Sequence, residues 1–266
     1  MNALGINVMH DSCLIVCSDH GPVKWLDWTS CFYKDDIAVF RFYYAEDKTH
    51  EPDWCALLHT DEIERSWRYH RRDDRLRSLY TRSLLRILAG KFTNQNPLAI
   101  RLTKGLRNKP ELSDNIGWHI NATHSGNWIL VAVGKFSVGI DIEEVKSDFT
   151  FTDVLPFSFS IHERKYIEDG EQPLVRFYEL WTKKEALVKA FGSGIDETFP
   201  QVPALTGLHK RETTKLAGVG EWTINGFYVA DEYPAAIAYN CSSRHPQFYT
   251  LDPDIFTFPT QKYEMI

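Results

Sequence analysis

The order of secondary-structure signals predicts an α+β protein of two similarly built lobes with a cleft between them. Three observations carry this. Runs rich in β-branched and aromatic residues precede a periodic helical stretch, "RRDDRLRSLYTRSLLRILAGKF". Strand-like runs follow it, then a second helical stretch, "PLVRFYELWTKKEALVKAFG", and strands return after Leu216. The two halves meet near residue 135, so the lobes read as 1–135 and 136–266, with a site expected at their interface.

Each element has its own signal. The first segment, to about residue 60, reads as strands in "GPVKWLDWTS" and "DIAVFRFYYAED". In the first helix Leu76, Leu79, Tyr80, Leu84, Ile87 and Leu88 recur at helical spacing, and Gly90 is the expected stop. "NPLAIRLTKG" reads as a strand before a polar loop. "WILVAV" and "SVGIDIE" flank Gly134 and Lys135, which predicts a hairpin. In the second helix Phe177, Leu180, Leu187 and Phe191 form the apolar stripe.

Composition bounds the function. With 266 residues, 43% hydrophobic and 25% charged, the chain is ordinary globular protein. A formal charge of −6 argues against general nucleic-acid binding. The opening "MNALGINVMHDSCLIVCSDHG" lacks a basic start and is broken by His10 and Asp11. No run approaches the roughly 18 apolar residues of a membrane span. A cytoplasmic protein without membrane association is expected. The five cysteines are odd in number and scattered, which argues against a disulfide framework or a zinc site.

The chemistry begins at "GKFSVGIDIEEV". Along a strand, Val138, Ile140 and Ile142 share one face, and Gly139, Asp141 and Glu143 the other. The two acids would lie roughly 6–7 Å apart, close enough to converge on one cation. Oxygen ligands of this kind suit Mg²⁺, Mn²⁺ or Ca²⁺. Gly139 leaves room on that face for something bulky. The plain alternative is an edge strand with a solvated acidic end. A third acid, Glu185, shares a helix face with Trp181 and Lys189, although Glu185 and Lys189 could equally be a surface i,i+4 pair.

Taken together, "VGIDIE" and, roughly 40 residues on, "WTKKEALVKAFG" resemble the signature pair of the 4′-phosphopantetheinyl transferase superfamily. "INATHSGNW", "LRNKP", "FSIHE" and "RYHRRDDRLRSLYTRSLLR" resemble further landmarks of its Sfp-type branch, which includes the fungal and animal aminoadipate-pathway enzymes. The resemblance implies a pseudo-duplicated fold, each lobe a small, mostly antiparallel sheet with a long helix. It also implies transfer of the phosphopantetheine arm of coenzyme A to a serine of an apo carrier protein, with release of adenosine 3′,5′-bisphosphate.

The implied roles follow residue by residue. Asp141, Glu143 and Glu185 match the acidic positions expected to hold Mg²⁺, or Mn²⁺, against the pyrophosphate. Glu185 is expected to take the serine proton, with Glu163 of "FSIHE" as the alternative base. Lys189 matches a lysine near the coenzyme A phosphates. Asn121, Thr123 and His124 belong to the stretch facing the adenosine-side phosphate, and Arg65, Lys104 and Lys109 to the nucleotide end. Three positions depart from the family: Thr123 stands for a serine, Asn108 for a loop glycine, and Ser125 where animal relatives can carry a glutamine. The third ligand is therefore assigned to Glu143.

A basic or apolar lip is expected to receive the carrier, and a monomer is expected. The resemblance leans toward lysine biosynthesis. A phosphodiesterase acting on a nucleotide pyrophosphate would use the same acids with water in place of serine.

Overall fold

A computed structural model describes residues 12–19, 22–44, 57–105, 110–113, 117–212, 220–241 and 243–256. In chain order the first half contributes β1 (Ser12–Asp19), β2 (Leu26–Asp27), β3 (Ile37–Tyr43), α1 (Thr60–Ser66), α2 (Arg72–Thr93), β4 (Leu102–Lys104), β5 (Pro110–Leu112), β6 (His119–Ser125) and β7 (Trp128–Gly134). The second half contributes β8 (Val138–Ile142), α3 (Leu155–Ser158), α4 (Ile161–Glu168), α5 (Pro173–Phe191), β9 (Gly207–Glu212), β10 (Gly220–Tyr228), β11 (Pro234–Tyr239) and β12 (Gln247–Leu251).

Two five-stranded sheets result, ordered β2-β12-β3-β7-β6 and β8-β11-β10-β1-β9, beside a small β4-β5 ribbon. Side-chain alternation builds four layers from them. Phe40, Val131, Leu84 and Leu88 fill the space between the first sheet and α2. The opposite face of that sheet, with Val39 and Leu130, packs on Ile140, Ile237 and Tyr239 of the second. Ile15, Ile224 and Ala236 turn the other way, onto Ala186 and Leu187 of α5. The α3 and α4 helices close a smaller cluster over Phe177 and Leu180.

The sheets exchange strands. β1 pairs in parallel with β10 of the second sheet, and β12 pairs in parallel with β3 of the first. A division into 1–135 and 136–266 thus falls between β7 and β8, and each side lends a strand to the other's sheet. These pairings, with β2–β12, make both sheets mixed: the second stays mostly antiparallel, and the first has two parallel and two antiparallel pairings. Parallel neighbours need a long connection, and strands arriving from the other half provide one.

Three local expectations are corrected. β7 and β8 are not a hairpin: β7 is already paired on both edges by β3 and β6, so the chain crosses to the other sheet and β8 pairs with β11. The hairpin lies one strand earlier, where β6 and β7 turn at Gly126, whose φ of 52° suits glycine. Gly90 does not stop α2. The helix runs on to Thr93 and ends at Asn94 in the left-handed region, while Gly90 makes room for the Gln95 carbonyl and Pro97. "NPLAIRLTKG" is a short 3₁₀ turn at Pro97–Ala99 followed by the three-residue β4. The second helix is capped at Gly192, φ 73°, as its sequence predicts. Among the described residues no helix is long and apolar enough to cross a membrane.

Candidate active site

The site forms where an edge of each sheet meets the other. Among the described residues β8 has a ladder partner only on its β11 side, and side chains of β6 bridge to its other edge. Asn121 Oδ1 accepts from the Ile140 N–H at 2.8 Å. Ser125 Oγ accepts from the Glu144 N–H at 3.0 Å and donates to Glu143 Oε2 at 3.1 Å. Thus "INATHS" and "VGIDIE" lie side by side, although they belong to different sheets. Asn121 is buried in this role and ties the two lobes together.

Val138, Ile140 and Ile142 face the other sheet, and Gly139 faces α5, as alternation predicts. The room left by Gly139 is taken by the helix itself, since a Cβ there would run into the backbone of Ala186 and Ala190. This close approach brings Lys189 over β8. Its Nζ lies 2.5 Å from Asp141 Oδ1 and donates to Thr123 Oγ1 at 3.2 Å. Thr123 in turn donates to the same Asp141 oxygen at 3.2 Å. The methyl that distinguishes Thr123 from serine does not prevent these bonds. Lys189 therefore partners Asp141 across the fold, not Glu185 along its own helix.

Burial and mutual repulsion shape the acids. Burial raises Asp141, and the adjacent Lys189 charge pulls the other way. Burial and the neighbouring Asp141 charge push Glu143 up to about 7. The same two causes push Glu185 up to about 7, against the pull of Lys189. Burial disfavours the Lys189 charge, but Asp141, Glu185 and Glu143 outweigh it and raise the ammonium above its ordinary value. His124 is lowered by burial and by Arg77 and Lys189, which favours neutral imidazole.

Two adjoining cavities open from this cluster. One, of about 370 Å³, is lined by Thr81, Arg82, Thr123, His124, Asp141 and Glu143, among others. The other, of about 520 Å³, is lined by Arg65, Arg82, Arg86, Arg101 and Thr103 among others. Arg82 and Pro110 border both, so the cavities form one cleft, with Asp141, Glu143 and Lys189 at one end and four arginines beside Asp61 and Glu62 at the other. Arg86 is held by Glu62 Oε2 at 2.8 Å and by the Ile100 carbonyl, whereas Arg82 makes no ion pair among the described residues.

Arg82 and Thr81 were missed by sequence reasoning, lost among the arginines of α2. The signal for Arg82 was the i,i+4 series Ser78, Arg82, Arg86, a polar stripe running beside the apolar one; Thr81 lies off that row.

Of the expected residues, Asp141, Glu143, Lys189, Thr123 and His124 line the cleft, with Arg65 at the basic end; Glu185 lines neither cavity but lies near enough for its charge to act on Glu143 and Lys189. Lys104 ends β4, beside cleft-lining Thr103. Lys109 lies outside the described residues. Glu163 has a different place. Its Oε2 accepts from Ser160 N–H at 2.8 Å and Ser160 Oγ–H at 2.9 Å, and pairs with Lys184 at 2.9 Å. Its Oε1 accepts from Ala204 N–H at 3.0 Å. This carboxylate caps α4 and anchors α5, and it lines neither cavity.

Among the described residues no three His, Cys, Asp or Glu side chains stand in a ready metal-ligand arrangement. The chemistry of the acids nevertheless suits a hard cation. Among the described residues Asp141 Oδ2 is buried without a hydrogen-bond partner, and two further carboxylates carry a burial cost that a positive charge would relieve.

The two-lobed fold sets carboxylates against arginines along one cleft, an arrangement suited to a phosphate-bearing molecule. Residues 137–238 match the 4′-phosphopantetheinyl transferase superfamily, and residues 48–135 match the 4′-phosphopantetheinyl transferase N-terminal family. The chain belongs to the 4′-phosphopantetheinyl transferase superfamily, in its Sfp-type branch.

It is similar to the 4′-phosphopantetheinyl transferase HetI of Nostoc sp., at 28% identity over 81% of this chain and 92% of that protein. It is 34% identical to a putative 4′-phosphopantetheinyl transferase of Synechocystis sp., over 57% of this chain and 63% of that protein. With the 4′-phosphopantetheinyl transferase Sfp of Bacillus subtilis it shares 26% identity, over 53% of this chain and 63% of that protein. The matched part thus spans less than two thirds of the Synechocystis and Bacillus proteins.

Proposed function

We propose that this protein transfers the 4′-phosphopantetheine arm of coenzyme A to a serine of an apo carrier protein and releases adenosine 3′,5′-bisphosphate. The observation that carries the reading is the continuity of the cleft, from Asp141, Glu143 and Lys189 through Arg82 to Arg65 and Arg101. A substrate with a pyrophosphate in its middle and a phosphorylated nucleoside at one end matches that polarity. Family membership supports the same reaction.

In this reaction the serine Oγ bonds to the phosphorus bearing the pantetheine arm. The bond from that phosphorus to the bridging oxygen breaks, and the bisphosphate leaves with the electron pair. Asp141, Glu143 and Glu185 would hold Mg²⁺, or Mn²⁺. When bound, such an ion supplies charge neutralisation on the pyrophosphate.

The protein's own groups do the rest. Lys189, kept protonated by its acidic neighbours, donates to a phosphate oxygen. Thr123 and His124 offer a hydroxyl and a ring N–H to the phosphate on the adenosine side. Arg82 and Arg65 hold the nucleotide end. Glu185, raised to about 7, is suited to take the serine proton near neutral pH. Glu163, with both oxygens engaged in a cap and an ion pair, supports α5 in this scheme.

The acceptor, the divalent ion, a cytoplasmic setting, a monomeric state and lobes divided near residue 135 all belong to this proposal. It is tested by incubating the protein with coenzyme A, Mg²⁺ and a panel of apo carrier domains, then weighing the carriers. A mass gain equal to the arm is expected on at least one. Release of the bisphosphate with no carrier present would point instead to a phosphodiesterase.

A further inference from the structure

One strongly charged surface is left over from the cleft chemistry. Between α1 and α2 the run "WRYHRR", Trp67 to Arg72, is exposed at every residue. Trp67 is 63% exposed and Tyr69 46%. The Arg75 guanidinium stacks over the Trp67 ring at 4.1 Å and donates to the Tyr69 carbonyl at 3.4 Å, which stiffens the strip. Arg68, Arg71 and Arg72 make no ion pair among the described residues. In a chain of net charge −6 this is a concentrated basic and aromatic strip.

Its position gives it meaning. Arg65, just before the strip, lines the basic cavity, and Tyr69, within it, lines the cavity holding Asp141 and Glu143. The strip is therefore a rim of the cleft. A protein that presents a serine to the acids must lay part of its surface against the rim. Three arginines that make no ion pair among the described residues favour an acidic surface there, and the exposed indole and phenol favour one with apolar side chains among the acids. Long polyanions suit the site less well, because the molecule as a whole is acidic.

We infer that the Trp67–Arg72 strip, stiffened by Arg75, docks an acidic, partly apolar face of the acceptor protein and selects acceptors by charge. This inference rests on the transfer reaction proposed above.

The test uses the full chain with coenzyme A, Mg²⁺ and an apo carrier domain that the wild-type protein modifies. R68E/R71E/R72E should raise KM for the carrier tenfold or more, with kcat and the KM for coenzyme A within twofold of wild type. R68Q/R71Q/R72Q should give a smaller rise in the same direction. Added salt should lower the wild-type kcat/KM steeply and that of the Glu variant little. All three arginines are exposed, so folding should be unaffected, which circular dichroism checks. An unchanged carrier KM, or a rise in the coenzyme A KM instead, overturns the inference and leaves the transfer reaction standing. Transfer to no carrier by the wild-type protein overturns both.

Discussion

Lys189 is the side chain on which the candidate site turns. Three carboxylates press on it, and among the described residues its shortest contact is with Asp141 Oδ1, whose other oxygen has no hydrogen-bond partner there. Substituting Glu185 by Gln removes a proton acceptor while keeping size and polarity. Turnover should fall at least a hundredfold while coenzyme A binding, followed by calorimetry, changes less than threefold.

A second residue-scale prediction concerns pH. Glu143 and Glu185 have ordinary values of 4.5 and are raised to about 7 in the fold. Between those values the folded protein retains protons that the unfolded chain releases, so their contribution to stability falls as pH rises through that window. In chelator, the wild-type Tm should drop more between pH 5 and pH 8 than that of E143Q/E185Q. Mg²⁺ should raise the wild-type Tm at pH 8 and have little effect at pH 5, as a thermal melt would register.

Elements meet with little slack around α5. Gly139 lets the helix backbone lie directly on β8, and this contact sets Lys189 over Asp141. Gly139→Ala inserts a methyl where backbone stands and should cost at least ~1–3 kcal/mol. Activity should fall with it, because the helix must shift to accommodate the change. Denaturant melts and turnover measured on the same sample would check both.

The other anchor of α5 is Lys184, fully buried, bonded to Glu163 and to the carbonyls of Phe199, Pro200 and Val202. Lys184→Met would strand the Glu163 charge, and a loss of ~3–5 kcal/mol is expected. K184M/E163Q should recover part of that loss, measurable as coupling in a double-mutant cycle. The "TKKE" run gave little sign of this. Lys183 too is 3% exposed, and it pairs with Asp19 at 2.6 Å from across the strand exchange.

At the scale of the molecule, the exchange of β1 and β12 makes the lobes interdependent. A chain cut at residue 135 would leave the second sheet without β1 between β10 and β9, and the first without β12 between β2 and β3. Residues 1–135 alone should show no cooperative thermal transition. The full chain should unfold in one step, with calorimetric and van't Hoff enthalpies in agreement.

Periodicity and motif chemistry are local, and local signals were legible. Both long helices and the facing of Val138, Ile140 and Ile142 follow from periodicity and side-chain alternation, whereas joining Glu185 to Asp141 and Glu143 rests on the resemblance of the motif pair. What a strand pairs with is not local. The crossing from β7 to β8 looks in sequence like a hairpin, and only the occupied edges of β7 exclude one. The same holds for Glu163 and Asn121, whose side chains are committed to Lys184 and Ile140, respectively, by packing between segments far apart in the chain. The sequence by itself determined which residue types could neutralise and transfer a phosphorylated group. Tertiary structure decided which of them share a cleft, because hydrogen bonds across two sheet edges and the burial of α5 are non-local interactions, formed only once both lobes are assembled.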